Sequence, residues 1–539
     1  MKGIYLSLCA LAAFGAIRMA TQVTDALNQQ RAARAAVVSS LSQEGTETRT
    51  AEKLDEANAD SIDVAVSRAD SADESGSPDA SSSSVNQPLS VLSNAGADER
   101  ESAGVSATER TQVLANDVPV PKPELSGMIS KLVRHSARLH PEMITPGNFE
   151  YLGAIRLPHL RINGSTFAYG GWALAWRPDG DPNGPKDGLP GSLFITGHQS
   201  DQLVAEVSIP QPVVSPLQKM DELPAAEVLQ PFGDVTSGIL AEMNVGSATP
   251  FQIGGMLVIG DRIHWTIHKY YNVDGRDFPS HGISRTDLAV PMAEGPWHLG
   301  PQGTGSPEWH SYKHAGYIFE IPEEPAERWF GGNRLISGLQ ISTGLQFSSQ
   351  GPAMFAYRLP PDGTPGETSL NAVPLVWYSE EVPLRGHHPS DRWIGAAWLT
   401  LGSKSAVFVV GRKALGEFYY GEARPGDCTQ DKGYHGPPYE AEALFYSPAS
   451  LIQAAHGRLR PNSVQPWLRW DHQFDGGSLS RYLFSTCGQE LGGLAYDRER
   501  NLIYLVQISA GYTSDNEFEP LPIIHVFHLT ESQNHETGP

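Results

Sequence analysis

The sequence predicts an all-β domain built as a five-bladed β-propeller, and three observations predict it. Short strands rich in β-branched and aromatic residues recur from residue 149 onward, where "PASLIQAAHGRL" is the only stretch that reads as an amphipathic helix. These strands repeat in order, each unit opening on a Gly-led apolar strand and closing on one that often ends in Pro. Aromatic residues are confined almost wholly to this part, since no Phe, Tyr or Trp lies between Phe14 and Phe149.

Taken in order, "MKGIYLSLCALAAFGAIRMA" (1–20) has one Lys ahead of an apolar run that ends at Arg18. The run is shorter than the roughly 20 residues a membrane span needs, so a signal peptide or short signal anchor is expected. Export follows, to a periplasmic, cell-surface or extracellular location, with membrane contact only through an uncleaved N-terminal anchor. Residues 21–120, centred on "DSADESGSPDASSSSVNQPLSVLSNAGADERESAG", lack the apolar surface to offset the entropy of ordering and read as a disordered stalk. Residues 121–148 form a linker with a short helix at "GMISKLVRHSARL", 149–530 the propeller, and 531–539 a disordered tail.

Within the propeller the openings are "GGWALAW" (170–176), "GGMLVIG" (254–260), "LISGLQIS" (335–342), "IGAAWLTL" (394–401) and "LGGLAYD" (491–497). The closings are "VAEVSIP" (204–210), "GYIFEIP" (316–322), "MFAYRLP" (354–360), "EALFYSP" (442–448) and "IIHVFHL" (523–529). "FEYLGAIRLP" (149–158) precedes the first unit and supplies a strand to close the ring. A blade cannot bury both faces alone, which is the physical reason to repeat it around an axis. A pair of β-sandwiches is the alternative, and it accounts less well for the Gly-Gly openings. The long segments 211–253, 323–334, 361–393 and 449–490 read as inter-blade loops, with 268–315 and 411–441 inside blades. All are expected on one functional face.

The chain carries a net charge of −22. Up to residue 120 there are 9 Lys/Arg against 17 Asp/Glu, which leaves 30 against 44 in the remainder. That balance disfavours nucleic acid, whose binding draws on phosphate neutralisation, but it permits a local basic site for a carbohydrate or other acidic ligand. Cys428 and Cys487 are the two cysteines beyond the leader, an even pair suited to one disulfide or to two free thiols.

Chemistry-bearing residues gather in the same loop positions. "HKYYNVDGRD" offers His268, Lys269, Tyr270, Tyr271 and Arg276; "GHQSDQ" offers His198. "GRKALGEFYYGE" adds Arg412, Lys413, Tyr419 and Tyr420, and "DKGYHGPPYE" adds Tyr434 and His435. No opening strand begins with Asp or Glu, so the carboxylate pair of a glycoside hydrolase is not placed by the pattern, although Asp391, Glu380, Glu381, Asp471 and Asp475 remain candidates. β-Elimination from a uronic acid instead needs a cation for the carboxylate, a base and an acid. Lys269, Arg276 or Arg412 serve the first role, His198 or His268 the second, and Tyr270 or Tyr271 the third. Lys413, Tyr419, Tyr420, Tyr434 and His435 are then substrate-binding candidates. Strand alternation supports a plainer role for His268, as a core residue facing a neighbouring blade. "DGDPNG" places Asp179, Asp181 and Asn183 as at the start of a calcium loop, but the twelfth position is Pro190, so the EF-hand pattern fails. No cofactor is required, and calcium is the one metal with a partial pattern.

Taken together, "YGGWALAW", "SLFITGH…VAEVSIP", "HKYYNVDGRD", "KGYHGPPYE" and "GGLAYD" resemble a broad group of exported bacterial β-propeller proteins without assigned activity. The resemblance spans roughly residues 149 to 530 and implies a propeller and export. The expected function is carbohydrate engagement on the loop-rich face, with a polysaccharide lyase as its most specific form. A non-catalytic binding or scaffold module of the cell envelope is the alternative, and a glycoside hydrolase a second one.

Overall fold

A computed structural model describes residues 143–531 apart from 248, 272–274, 302–306, 340–346, 359, 429–431 and 485–486. The leader, the stalk, most of the linker and the tail (1–142 and 532–539) lie outside the described residues. Met143 and Ile144 are buried among blade residues, so propeller packing begins ahead of Phe149.

The chain enters on β1 (Phe149–Arg156), and five sheets follow. Blade 1 is β2 (Leu174–Arg177), β3 (Ser192–Thr196), β4 (Val204–Val207) and β5 (Val228–Gly233). Blade 2 is β6 (Phe251–Ile259), β7 (Arg262–Lys269), β8 (His281–Arg285) and β9 (Glu294–Leu299). Blade 3 contains β10 (Ile318–Glu320), β11 (Leu335–Ser337) and β12 (Met354–Tyr357). The chain then lends β13 (Ser369–Leu370) to the edge of blade 2 before completing blade 3 with β14 (Ala372–Val376). Blade 4 is β15 (Arg392–Leu401), β16 (Lys404–Ala414), β19 (Tyr439–Tyr446) and β20 (Leu468–Trp470). Between β16 and β19 stands a separate hairpin, β17 (Tyr419–Gly421) with β18 (Gly433–His435). Blade 5 is β21 (Leu491–Asp497), β22 (Leu502–Thr513) and β23 (Asn516–Leu529), and β1 pairs antiparallel with β23 to close the ring.

The five-blade count and the closing strand agree with the sequence, but blade 3 is threaded differently. "GYIFEIP" is the innermost strand of blade 3, not the close of blade 2, and "LISGLQIS" contributes the second strand. Blade 2 is completed by β8 and β9, which lie inside the segment read as one long loop. The segment 323–334, read as an inter-blade loop, instead joins the first and second strands of blade 3 through the helix Glu323–Trp329. The misreading has a simple cause: β10 and β11 have three residues each, too few to show a period.

Five apolar layers fill the spaces between blades. Ile263, Trp265 and Ile267 pack towards Ala173, Ala175 and Phe194 of blade 1, while Thr266 on the opposite face hydrogen-bonds the Gly316 carbonyl at 2.5 Å. The other layers have the same two-sided form, as where Trp398 and Val407 meet Phe319 and Ile336. Strands inside the blades, such as β3 and β19, therefore bury both faces, which is why a polar residue in such a strand needs a local partner.

Glycines open the inner strands because backbones meet at the axis. A Cβ on Gly255 would lie 2.4 Å from the Gly316 oxygen, and one on Gly493 2.4 Å from the Leu174 nitrogen. On the face of the tight hairpins, Arg498 reaches the Trp398 carbonyl (3.2 Å) and the Glu320 carbonyl (3.3 Å), tying blade 5 to blades 4 and 3. The opposite face carries the elaborated loops. Among the described residues no helix is long and apolar enough to cross a membrane.

Candidate axial site

The loop-bearing end of the axis opens into a cavity of about 830 Å³. Its walls come from the starts of inner strands and the ends of second strands, with Trp172, His268, Tyr270, Tyr317, Arg392 and Lys432 the side chains best suited to chemistry. Among the described residues two carboxylates also line it, and both have structural tasks. Asp234 accepts from the Thr236 amide (2.8 Å) and hydroxyl (2.6 Å) and from the Gly238 amide (2.7 Å). Asp201 accepts from the Ser165 hydroxyl at 2.9 Å.

Arg392, the first residue of β15, is the central cation. Its guanidinium is ion-paired with Glu490, the residue just before β21, and lies 5.8 Å from the centre of the Trp172 ring. Arg412 faces Arg392 across the β15–β16 ladder, with Nη1 3.9 Å from the other Glu490 oxygen and its guanidinium over Tyr439 at 4.3 Å. One carboxylate thus contacts two guanidiniums. Burial pushes the Glu490 carboxyl up, but Arg392 and Arg412 outweigh it and hold it below the usual carboxylate range.

His268, near the end of β7, touches the cavity with one edge. Its Nδ1 is buried against Gly254 with no hydrogen-bond partner, while the ring as a whole stays partly exposed, so Nε2 is the atom within a ligand's reach. Burial first, and the Arg392 charge second, lower its pKa to about 4. The imidazole is therefore neutral at pH 7. Tyr270 follows two residues on in the same wall.

The remaining candidates are distributed differently. His198 lies beside the cavity rather than in its wall, with Nδ1 accepting from the Ser200 amide (3.1 Å) and its ring edge-on to Tyr169. Lys269 sits over the Phe251 ring at 4.6 Å. Tyr271 and Arg276 are exposed outside the cavity wall, and residues 272–274 between them lie outside the described residues. Arg412 and His435 are buried, which corrects their reading as ligand contacts: the first lies behind Arg392, and the second has Nδ1 2.8 Å from an Asp427 carboxylate oxygen. Lys413 is likewise committed, to Asp391 at 2.9 Å. Asp391, although it directly precedes an inner strand, is fully buried in that pair.

Tyr419, Tyr420 and Tyr434 belong to the β17–β18 hairpin. Tyr419 donates to Asp427 at 2.6 Å and stacks on His435, and the neighbouring Cys428 is disulfide-bonded to Cys487. Asp179, Asp181 and Asn183 lie in the β2–β3 connection, where Asp181 accepts from the Asn183 amide at 2.8 Å. Among the described residues no group of three or more His, Cys, Asp or Glu is arranged to hold a metal.

Sequence reasoning missed Trp172, Arg392, Lys432 and Glu490. For two of these a signal was present: Arg392 and Glu490 stand at or just before inner strands, where side chains meet the axis. Looking one residue ahead of "LGGLAYD" finds Glu490.

No protein-family model matches the chain, and a search of curated proteins returns no match. Among solved structures, one described with GH130-family glycoside hydrolases that target β-1,2 mannosidic linkages in Candida mannan overlays at a TM-score of 0.32. It shares 12% identity, over 74% of this chain and 99% of that one. An exo-inulinase from Aspergillus awamori overlays at 0.32 with 9% identity, over 69% of this chain and 64% of the inulinase. Overlaps this loose transfer no chemistry.

Proposed function

We propose that the axial cavity binds an acidic carbohydrate, with Arg392 receiving the carboxylate and Trp172 packing against a sugar face. One observation carries this reading: a guanidinium, locked in place by Glu490, faces a cavity of ligand size beside an indole and a neutral imidazole. A planar fork held rigidly is the group that recognises a carboxylate best, and its entropy is already spent before binding. Lys432 adds a second cation to the same wall. The orphaned Nδ1 favours the tautomer with the proton on Nε2, because a buried N–H without an acceptor is the costlier arrangement. In that tautomer His268 donates to a ligand oxygen.

The catalytic form of this reading is β-elimination, and a specific feature supports it. Burial beside Arg392 keeps His268 unprotonated, and Tyr270 shares its cavity. Elimination would use the other tautomer, with the Nε2 lone pair facing the cavity at the cost of an unpaired buried Nδ1–H: His268 would then take the proton beside the neutralised carboxylate, and the Tyr270 hydroxyl would give one to the departing oxygen. Titration calorimetry with oligogalacturonate and oligoguluronate tests binding, and ultraviolet absorbance of the new conjugated double bond tests elimination. Arg392→Gln is expected to weaken binding about tenfold to a hundredfold, the worth of a charge-assisted bond. Equal affinity for neutral and acidic oligosaccharides sinks the binding reading. Binding with no absorbance across both polymers removes the lyase and leaves a binding module.

A further inference from the structure

Beyond the cavity rim lies a group of aromatic rings that the fold does not use. Phe418, Tyr420 and Tyr271 are each more than two-fifths exposed, and Tyr420 reaches 60%. Phe418 stacks on Tyr434 with centroids 5.4 Å apart and planes at 21°, and Tyr420 leans on Tyr434 at 5.0 Å. Tyr271 follows Tyr270, whose hydroxyl lies beside Gly433 of the same hairpin, and burial, with Tyr420, Tyr271 and Glu380 adding to it, pushes the Tyr434 hydroxyl up. Large apolar rings are seldom left on a surface in groups without a use.

The cluster is continuous with the cavity. Lys432, two residues before Tyr434, lines the cavity wall, and a Cβ on Gly433 would lie 3.3 Å from the Tyr270 hydroxyl. Tyr270 and Tyr271, adjacent in sequence, divide between cavity and platform. The platform is also fixed in place. Asp427 holds Tyr419 and His435 at 2.6 and 2.8 Å, Arg424 covers the Tyr419 ring at 3.8 Å, and the Cys428–Cys487 bond ties the hairpin to the segment leading to Glu490.

We infer that Phe418, Tyr420, Tyr434 and Tyr271 form a second carbohydrate subsite, over which the further sugar units of a polymer lie once one unit occupies the axial cavity. The inference rests on the proposed acidic-carbohydrate reading and deepens it, from a sugar to a chain. The chemistry is specific to a polysaccharide: each ring presents an apolar face for a sugar's C–H face, and three of the four carry a hydroxyl for its oxygens. Rigid rings also lose little entropy on binding.

The test compares a disaccharide with a hexasaccharide of galacturonate on the full chain, by titration calorimetry. Wild-type protein is expected to bind the hexasaccharide about tenfold more tightly, the worth of one or two covered rings. Phe418→Ala combined with Tyr420→Ala should bring the hexasaccharide to the disaccharide's affinity and leave the latter unchanged. Both side chains are exposed, so thermal melting should be unaffected. As a measurement needing no variant, hexasaccharide should protect Tyr420 from nitration and disaccharide should not. An unchanged ratio in the double variant, or equal nitration, overturns the subsite while the cavity reading stands. Binding of the hexasaccharide alone, lost in the double variant but kept in Arg392→Gln, supports the platform and refutes the cavity. Binding of neither overturns both.

Discussion

Replacing Glu490 by Gln removes the one carboxylate between two guanidiniums that face each other across β15 and β16. Arg412 is 2% exposed and cannot turn to water, and among the described residues Asp427 is the other carboxylate that acts on it. Breaking such a pair costs about 3 to 5 kcal/mol, because an uncompensated charge stays buried. Glu490 retains about a fifth of its side-chain exposure, which screens the pair and favours the lower end. A domain of roughly 380 residues unfolds with about 0.8 kcal/mol/K of entropy, so about 3 kcal/mol lowers the melting temperature by about 4 °C. Differential scanning calorimetry of Glu490→Gln against Glu499→Gln, an exposed site, measures this. Joining Glu490→Leu to Arg412→Met should recover most of the loss, since an apolar pair replaces the buried charges. Melting of Glu490→Gln within about 1 °C of the parent, or a double variant less stable than the single one, refutes the account.

Three further outcomes follow from the same packing. Burial lowers His264, His268 and His314 to about 4 and His525 to about 3, so the unfolded chain, with histidines near 6.5, binds more protons in between. Stability is therefore complete above about pH 6.5 and falls as the pH drops towards 4. Glu442, raised to about 7 by burial, acts in the opposite direction between its usual range and pH 7, as a single group. Urea midpoints that stay level or rise on acidification from pH 7 to 4.5 would contradict this. Reducing the Cys428–Cys487 bond, which spans 59 residues, should lower stability by up to about 4 kcal/mol on the chain-entropy model, read as a drop in melting temperature once two thiols titrate. Gly255→Ala should cost about 1 to 3 kcal/mol, because the new methyl would meet the Gly316 oxygen and Tyr317 Cα in backbone that cannot retreat; a neutral effect in chemical denaturation would show the axis to be looser than described.

By itself the sequence determined the all-β class, the five-blade count and the closing strand at Phe149. Each of these is a local property, carried by strand composition, by Gly at the axis or by the presence of apolar surface to bury. It also marked "TIHKYYNVDGRD" as a candidate, and His268 and Tyr270 do line the axial cavity. Only the tertiary structure decided the rest of the site. Arg392 and Glu490 are 98 residues apart and meet because consecutive inner strands converge on one axis. Arg412 and Lys413 carry the same charge and are neighbours in sequence, yet strand alternation sends one to Glu490 and the other to Asp391. Whether a cation is a ligand contact or a buried strut depends on which carboxylate the fold brings to it; for Lys413 that partner lies across the β15–β16 hairpin, and for Arg392 and Arg412 it lies in another blade, where no local pattern records it.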